Sequence, residues 1–287
     1  MRFIVTGDAG FIGGELKSAL INIGHEVMGL DRWIFSEHNR KRIPFDQFGQ
    51  VDGIFHCGAI SDTMTTDIDT TLRLNTYFTA DLAEYCEKHS IPLVYSSSAA
   101  IYGNSYPDIQ PLNLYAWSKY LGERYVTDAG GISLRYFNVY GVTEYKKRNM
   151  ASVATQAFLY HLRTGQPFEL FPGRPRRDFI HVSDVVNANL RALEILQAIK
   201  DDDRSDYLFF DKFQYEVGCA ETMTFEEVLD IMEVPYIHIT ADKIPHSYQY
   251  ETRAMKTEWL PRWKPALSPQ HQFARHRQDL IQLTSNQ

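Results

Sequence analysis

Phe3-Ile4-Val5-Thr6-Gly7-Asp8-Ala9-Gly10-Phe11-Ile12-Gly13 is a short apolar run that breaks into glycines at every third position. The run reads as a buried strand. Beyond it, Leu16, Ala19, Leu20 and Ile23 recur at helical spacing, and Gly24 stands where a left-handed cap would end that helix. Glu26-Val27-Met28-Gly29-Leu30 reads as a second strand, closed by Asp31. Strand, turn, helix and strand in this order make a βαβ unit. In that setting Gly7 permits a tight exit from the strand. Gly10 lets backbone approach a pyrophosphate, and Gly13 lets helix and sheet pack closely. The helix N-terminus, with Phe11 and Ile12 in its first turn, offers N–H groups and partial positive charge to phosphate. Asp31 is placed to accept hydrogen bonds from an adenosine ribose. The unit predicts a dinucleotide site, for NADP or NAD. Asp31 repels a 2′-phosphate, whereas the adjacent Arg32 can hold one. Asp8 would oppose a pyrophosphate if it faced it, so its side chain is expected to point away.

The rhythm continues beyond this unit. Gly53-Ile54-Phe55-His56 reads as a strand, 70–89 as a helix, Pro92-Leu93-Val94-Tyr95-Ser96 as a strand, 114–126 as a helix and 132–136 as a strand. Alternation of this kind predicts an α/β fold of the Rossmann type, a doubly wound parallel sheet covered on both faces. After Gly141 it stops. Residues 142–149 are charged and read as irregular, 150–163 as a helix, and 165–175 as a loop rich in Gly and Pro. The last stretch mixes short strands and helices into a smaller mixed α/β lobe. The predicted division is 1–140 with about 178–218 for the dinucleotide, and 141–177 with about 219–287 for the substrate. The run Asp201-Asp202-Asp203 reads as surface loop.

Tyr115-Ala116-Trp117-Ser118-Lys119 falls on one of the predicted helices. A spacing of four puts a phenol and an ammonium on one face, a turn apart. A free phenol ionises near pH ~10 and is a poor base at neutrality. A neighbouring cation favours the phenolate and brings it toward a useful range.

Composition bounds the rest. The chain has 287 residues, 44% hydrophobic and 23% charged, with a net charge of −7. That supports a substantial core and argues against nucleic acid as a partner. No apolar run approaches the ~20 residues of a spanning helix, and the start lacks the pattern of a signal peptide. A cytoplasmic protein without membrane contact is expected. The three cysteines, Cys57, Cys86 and Cys219, show neither metal-ligand nor disulfide spacing, so they are read as reduced and no metal is expected.

These motifs resemble the extended short-chain dehydrogenase/reductases, in particular nucleotide-sugar epimerases and dehydratases. The resemblance rests on the glycine turn, Ser96-Ser97-Ser98 and the Tyr115–Lys119 pair. Further segments are similar to the ADP-glycero-manno-heptose 6-epimerases of that group. They are 55–61, 97–103, 135–141, 177–184, Met150-Ala151-Ser152-Val153-Ala154 and Tyr248-Gln249. The resemblance implies a redox-neutral epimerisation of a nucleotide-diphosphate sugar through a transient ketone, with NAD(P) held throughout. It makes Tyr115 the proton acceptor and donor, with Lys119 lowering its pKa and holding the nicotinamide ribose. Ser98 would bond the reacting hydroxyl, and Lys147 would be a second acid/base that also touches the cofactor. It places Cys57, Gly58, Ala59, Ser61, Asn75 and Val139 along the cofactor. Asn138, Asn149, Gln156, Phe171, Arg177 and Tyr248 fall to the substrate. Guanidinium suits phosphate oxygens, which favours Arg177; an ion pair with Asp178 or Asp184 is its structural alternative. A homo-oligomer is implied as well.

The chain departs from that pattern in three places. The segment 31–51 is short and lacks a cofactor lysine. Asn149 and Gln156 replace a serine and a histidine. The loop at Phe171-Pro172-Gly173 is contracted. Two other enzyme readings remain. A dehydratase would follow the active-site Ser with an Asp-Glu pair, but Ser98 is followed by Ala99-Ala100. A UDP- or dTDP-sugar 4-epimerase or reductase would use the same Ser-Tyr-Lys set. A non-catalytic dinucleotide sensor is the alternative outside enzymes, and the presence of Tyr115 argues against it.

Overall fold

The computed structural model describes residues 1–31, 45–200, 212–244 and 248–285, apart from the side chains at 46, 47, 148 and 149. Strand β1 (Arg2–Thr6) buries Phe3, Ile4 and Val5 completely, as a strand covered on both faces must. It leads into α1 (Phe11–Asn22), after which Gly24 turns the chain at a φ of +88°. The chain returns as β2 (Glu26–Gly29), parallel to β1. Next come β3 (Gly53–His56) and α2, a continuous helical run made of Ile68–Leu72, a π turn Arg73–Tyr77, and Phe78–Lys88. Then follow β4 (Leu93–Ser98), α3 (Leu114–Asp128), β5 (Ile132–Tyr136) and β6 (Asn138–Tyr140). The chain continues through α4 (Val153–Thr164), β7 (Phe168–Leu170), β8 (Arg176–His181) and α5 (Val182–Lys200). It ends with β9 (Gln214–Val217), β10 (Thr222–Thr224), α6 (Phe225–Ile231), β11 (Tyr236–His238) and α7 (Pro269–Ser285).

The main sheet has the order β2-β1-β3-β4-β5-β9, and every pair is parallel. The winding reverses at β1, with β2 on one side and β3 on the other. A ligand crevice belongs at such a switch point, outside the carboxyl ends of the strands. On one face α1 and α5 pack through Leu16, Leu20, Val185 and Ile195. On the other, α2 and α3 pack through Leu82, Ala83 and Val126 against Ile4, Ile54 and Tyr95. Two smaller sheets, β10-β8-β6 and β11-β7, have a core of their own. There Tyr140 stacks on Phe273 at 4.3 Å, and Phe179 meets the same ring edge-on at 5.2 Å.

The Rossmann-type sheet and the smaller mixed region match the expectation. Local differences have physical reasons. The helix expected over 70–89 carries the π turn, whose residue Asn75 bonds a distant loop. The stretch expected to be irregular is a 3-10 run, Val142–Met150, and α4 starts only at Val153. β7 lies within the expected loop; its parallel partner β11 is far away in sequence, so no local pattern announces it. The acidic run 201–203 lies outside the described residues. No described helix is long and apolar enough to cross a membrane.

Candidate active site

The glycine turn is built by close approach. Gly7 has a φ of +68°, and a Cβ there would lie 2.7 Å from the Gly58 backbone. A Cβ on Gly13 would lie 2.3 Å from the Gly7 carbonyl oxygen. Only glycine fits either place. The Gly10 N–H donates to the Gly7 carbonyl at 2.9 Å, which closes the turn just before α1. No side chain caps α1, and its first turn carries no acid. Its leading N–H groups therefore face a crevice with their dipole uncompensated, the arrangement that holds a phosphate. Asp8 does point away, as expected: it pairs with Lys17 at 2.6 Å and accepts from the Asp31 N–H at 3.1 Å.

A cavity of about 810 Å³ extends from this turn across the carboxyl ends of the strands to β7 and Tyr248. Its middle wall is α3. Asn113 caps that helix by accepting from the Ala116 N–H at 2.8 Å. Tyr115 follows in the first turn and Lys119 one turn later. Gly122 lets α3 close on the sheet, because a Cβ there would meet the Tyr95 hydroxyl at 2.5 Å. Lys119 is 3% exposed, and its ammonium stands over the Tyr95 ring, 4.2 Å from the centroid. Burial pushes Lys119 down to about 7, with Cys57 and Glu123 opposing the shift. Burial raises the Tyr115 phenol, and a hydrogen bond with Ser98 pulls it back. Ser98 ends β4, and its oxygen also accepts from the Ala100 N–H at 3.2 Å.

A polar chain behind the cavity fixes the loop after β3. The Gly58 N–H donates to Thr6 Oγ1 at 3.0 Å, and Thr6 bonds His56 Nδ1 at 2.6 Å. His56 Nε2 meets Thr79 Oγ1 at 2.8 Å, and Thr79 donates to the Asn75 carbonyl. Thr79 spends its proton on that carbonyl, so His56 must donate from Nε2 and accept at Nδ1. Burial lowers His56 to about 3 and keeps it neutral. Asn75 itself accepts from the Ile60 N–H at 2.7 Å, donates to the Ile60 carbonyl, and donates to Ser118. Ser118 in turn donates to the Tyr115 carbonyl at 2.7 Å.

The far wall carries Lys147 and Arg177. Lys147 Nζ lies 5.6 Å from the Phe11 ring centroid. Burial lowers its pKa, and Glu144, three residues earlier, works against that. Glu144 is fully buried and accepts from the Ser152 N–H, the Ser152 hydroxyl and Thr155. Arg177 sits between the Phe225 and Tyr248 rings at 5.5 and 5.3 Å. Its Nη groups donate to the carbonyls of Arg176, Gln249 and Tyr250. Asp178 and Asp184 accept from backbone amides, Asp178 from Cys219, Ala220 and Ala254, and Asp184 from Ala266.

Of the residues singled out from sequence, most line this one cavity. They are Gly7, Gly10, Phe11, Ile12, Gly13, Asp31, Cys57, Gly58, Ala59, Ser61, Ser98, Tyr115, Lys119, Asn138, Val139, Lys147, Gln156, Phe171, Arg177 and Tyr248. Asn75 stands one layer behind, 1% exposed. Arg32 and the side chain of Asn149 lie outside what is described. Cys57 is a free thiol raised to about 11 by burial. Sequence reasoning assigned no role to Met64, Phe168, Glu169, Phe225 and Gln249, which also line the cavity. Only Gln249 had a signal, its place beside Tyr248.

The profile of the NAD dependent epimerase/dehydratase family matches residues 3–205. The chain belongs to that family. An ADP-L-glycero-D-manno-heptose-6-epimerase of Brachyspira hyodysenteriae is 36% identical over 223 residues, covering 65% of this chain and 70% of that protein. Among solved structures, MoeE5 in complex with UDP-glucuronic acid and NAD has a TM-score of 0.79 at 22% identity, over 99% of this chain and 100% of that one. The UDP-N-acetylglucosamine 4-epimerase of Methanobrevibacter ruminantium M1, in complex with UDP-N-acetylmuramic acid, has a TM-score of 0.80 at 21% identity, over 98% of each chain. The resemblance read from the motifs is thus met. In this epimerase/dehydratase chain, the glycine turn and the Ser98, Tyr115 and Lys119 wall open on one space.

Proposed function

We propose that the chain is a redox-neutral epimerase of a nucleotide-activated sugar, and specifically one acting on ADP-glycero-manno-heptose at carbon 6. The observation that carries this reading is the wall itself. Tyr115, Ser98 and Lys119 converge on the cavity, Lys147 lines the same cavity, and Ala99-Ala100 supply no acid for elimination. NAD(P) fits the cradle where Gly7 and Gly13 leave no room for a Cβ, and when bound it supplies the reversible oxidation of one carbinol carbon. Tyr115 takes the proton of the sugar hydroxyl and returns it, while Ser98 orients that hydroxyl. Lys119, one helical turn on, is assigned to hold the nicotinamide ribose and to favour the phenolate. A keto sugar oxidised at an exocyclic carbon needs one bond rotation to present its other face. Lys147 is assigned to hold or give the proton there. Arg177, stacked between Phe225 and Tyr248, is assigned to the diphosphate.

The division into 1–140 with about 178–218 and 141–177 with about 219–287 belongs to this reading. The separate core beneath the small sheets supports it. A homo-oligomer rests on the resemblance alone, and a cytoplasmic setting on the sequence reading. The test is to incubate the protein with ADP-D-glycero-D-manno-heptose, without added reductant, and follow carbon 6 by NMR. Conversion to the L-glycero epimer is expected. The second reading, a UDP- or dTDP-sugar 4-epimerase or reductase, draws on Gln156 in the cavity wall and the contracted loop at Phe171. It leads if cofactor is bound but the heptose is not converted.

A further inference from the structure

Asp8 occupies a place that the chain has cleared for it. A Cβ on Gly29, the last residue of β2, would lie 1.8 Å from Asp8 Oδ2. The backbone of Gly29 is not left-handed, so glycine is needed here for space and not for conformation. The Asp8 carboxylate therefore lies across the end of β2. One oxygen accepts from the Asp31 N–H at 3.1 Å, and the other meets Lys17 Nζ at 2.6 Å. The Asp8 side chain is 14% exposed and that of Lys17 35%, so the pair is only partly screened by water.

The place matters because Asp31 lines the cavity at the end where the adenosine ribose is read. A dinucleotide carrying a 2′-phosphate brings two further negative charges to that end. Accepting them takes a cation close by. Lys17 is one carboxylate away from Asp31, but its ammonium is spent on Asp8. We infer that Asp8 makes this chain select NAD over NADP: it clamps Asp31 toward the ribose and ties up Lys17, the ammonium that a 2′-phosphate would otherwise use. The inference rests on the cofactor reading of the cavity and deepens it. It does not depend on which sugar is turned over.

The test uses the full chain, stripped of nucleotide and titrated calorimetrically with NAD⁺ and with NADP⁺. Nucleotide released from unstripped protein is identified by mass spectrometry. NAD is the expected released species, with NADP binding at least ~10-fold weaker, the scale of one charge-assisted hydrogen bond. Asp8→Asn keeps an acceptor for Asp31 but frees Lys17, so the ratio should narrow by about 10-fold. The double variant Asp8→Asn with Lys17→Met should restore it. If Asp8→Asn does not fold, Lys17→Met alone decides. NADP affinity should not fall, because Lys17 is already engaged. An unchanged ratio in Asp8→Asn, a fall in Lys17→Met, or NADP binding as tight as NAD and lost in Arg32→Ala each overturns the inference. Failure of both nucleotides to bind overturns the cofactor reading along with it, whereas failed turnover with selective NAD binding counts only against the proposed sugar.

Discussion

The Lys119 ammonium stands over the face of Tyr95, 4.2 Å from the ring centroid, where it is almost wholly cut off from solvent. A ring face attracts a cation but does not replace its hydration. Burial therefore dominates and holds Lys119 near 7, against an ordinary value of 10.5. Between those values the unfolded chain binds a proton that the folded chain does not. Stability should then rise as pH goes from 7 toward 10.5, and Lys119 should contribute no slope below 7. The contribution is on the order of 3–5 kcal/mol by linkage. Denaturant unfolding at pH 7 and pH 10 checks it, with Lys119→Met as the reference in which this part of the slope disappears.

Tyr115→Phe removes the group proposed to carry the proton and leaves the ring. Turnover should fall by ~10³-fold, the range of general acid–base loss. Cofactor affinity should stay within about 3-fold, since the loss lies in one proton transfer and not in binding. A sensor that only binds dinucleotide would show no such separation when ligand binding and turnover are measured on the same preparation.

Gly13→Ala drives a methyl group into the Gly7 carbonyl, 2.3 Å from the new Cβ. The backbone on both sides must shift. We expect a cost of roughly 1–3 kcal/mol. NAD retention through gel filtration should also be lost, because the same turn shapes the proposed phosphate cradle. Gly24→Ala meets no atom within 4 Å and serves as the control, strained only by its positive φ.

Glu144 ties the segment before Lys147 to the start of α4. Its carboxylate takes three hydrogen bonds with no exposure to solvent. Glu144→Ala leaves those donors unpaired, so a loss of about 3 kcal/mol or more is expected. Hydrogen exchange should quicken at the Ser152 amide, whose N–H donates to Glu144, ahead of any change in β1.

What the sequence made legible was local. The βαβ unit could be read because glycine spacing, helix periodicity and Asp31 all fall within one short window. The helix of Tyr115 and Lys119 could be read for the same reason, although its cap, Asn113, was seen only in the structure. The π turn at Asn75 could not, since its cause is a loop at Ile60 and a serine on another helix. β7 and β11 depend on each other across a long separation. Asp8 looked like a liability in a phosphate turn. Its partners, Lys17, Gly29 and the Asp31 amide, appear only once the strand end folds over it. Arg177 was legible as a cavity residue but not as one held by three backbone carbonyls and two rings.

The neutral His56 has a wider consequence. Its two ring nitrogens have fixed roles, one accepting and one donating, and no proton passes without reversing the whole row of hydroxyls. Among the described residues no histidine lines the cavity itself. Among the residues that line the cavity, an inflection near neutral pH, which in many enzymes is taken as the mark of an imidazole, would here point to Lys119, which burial brings to about 7. Blocking histidines chemically should then leave that inflection in place, and a reagent for amines should remove it.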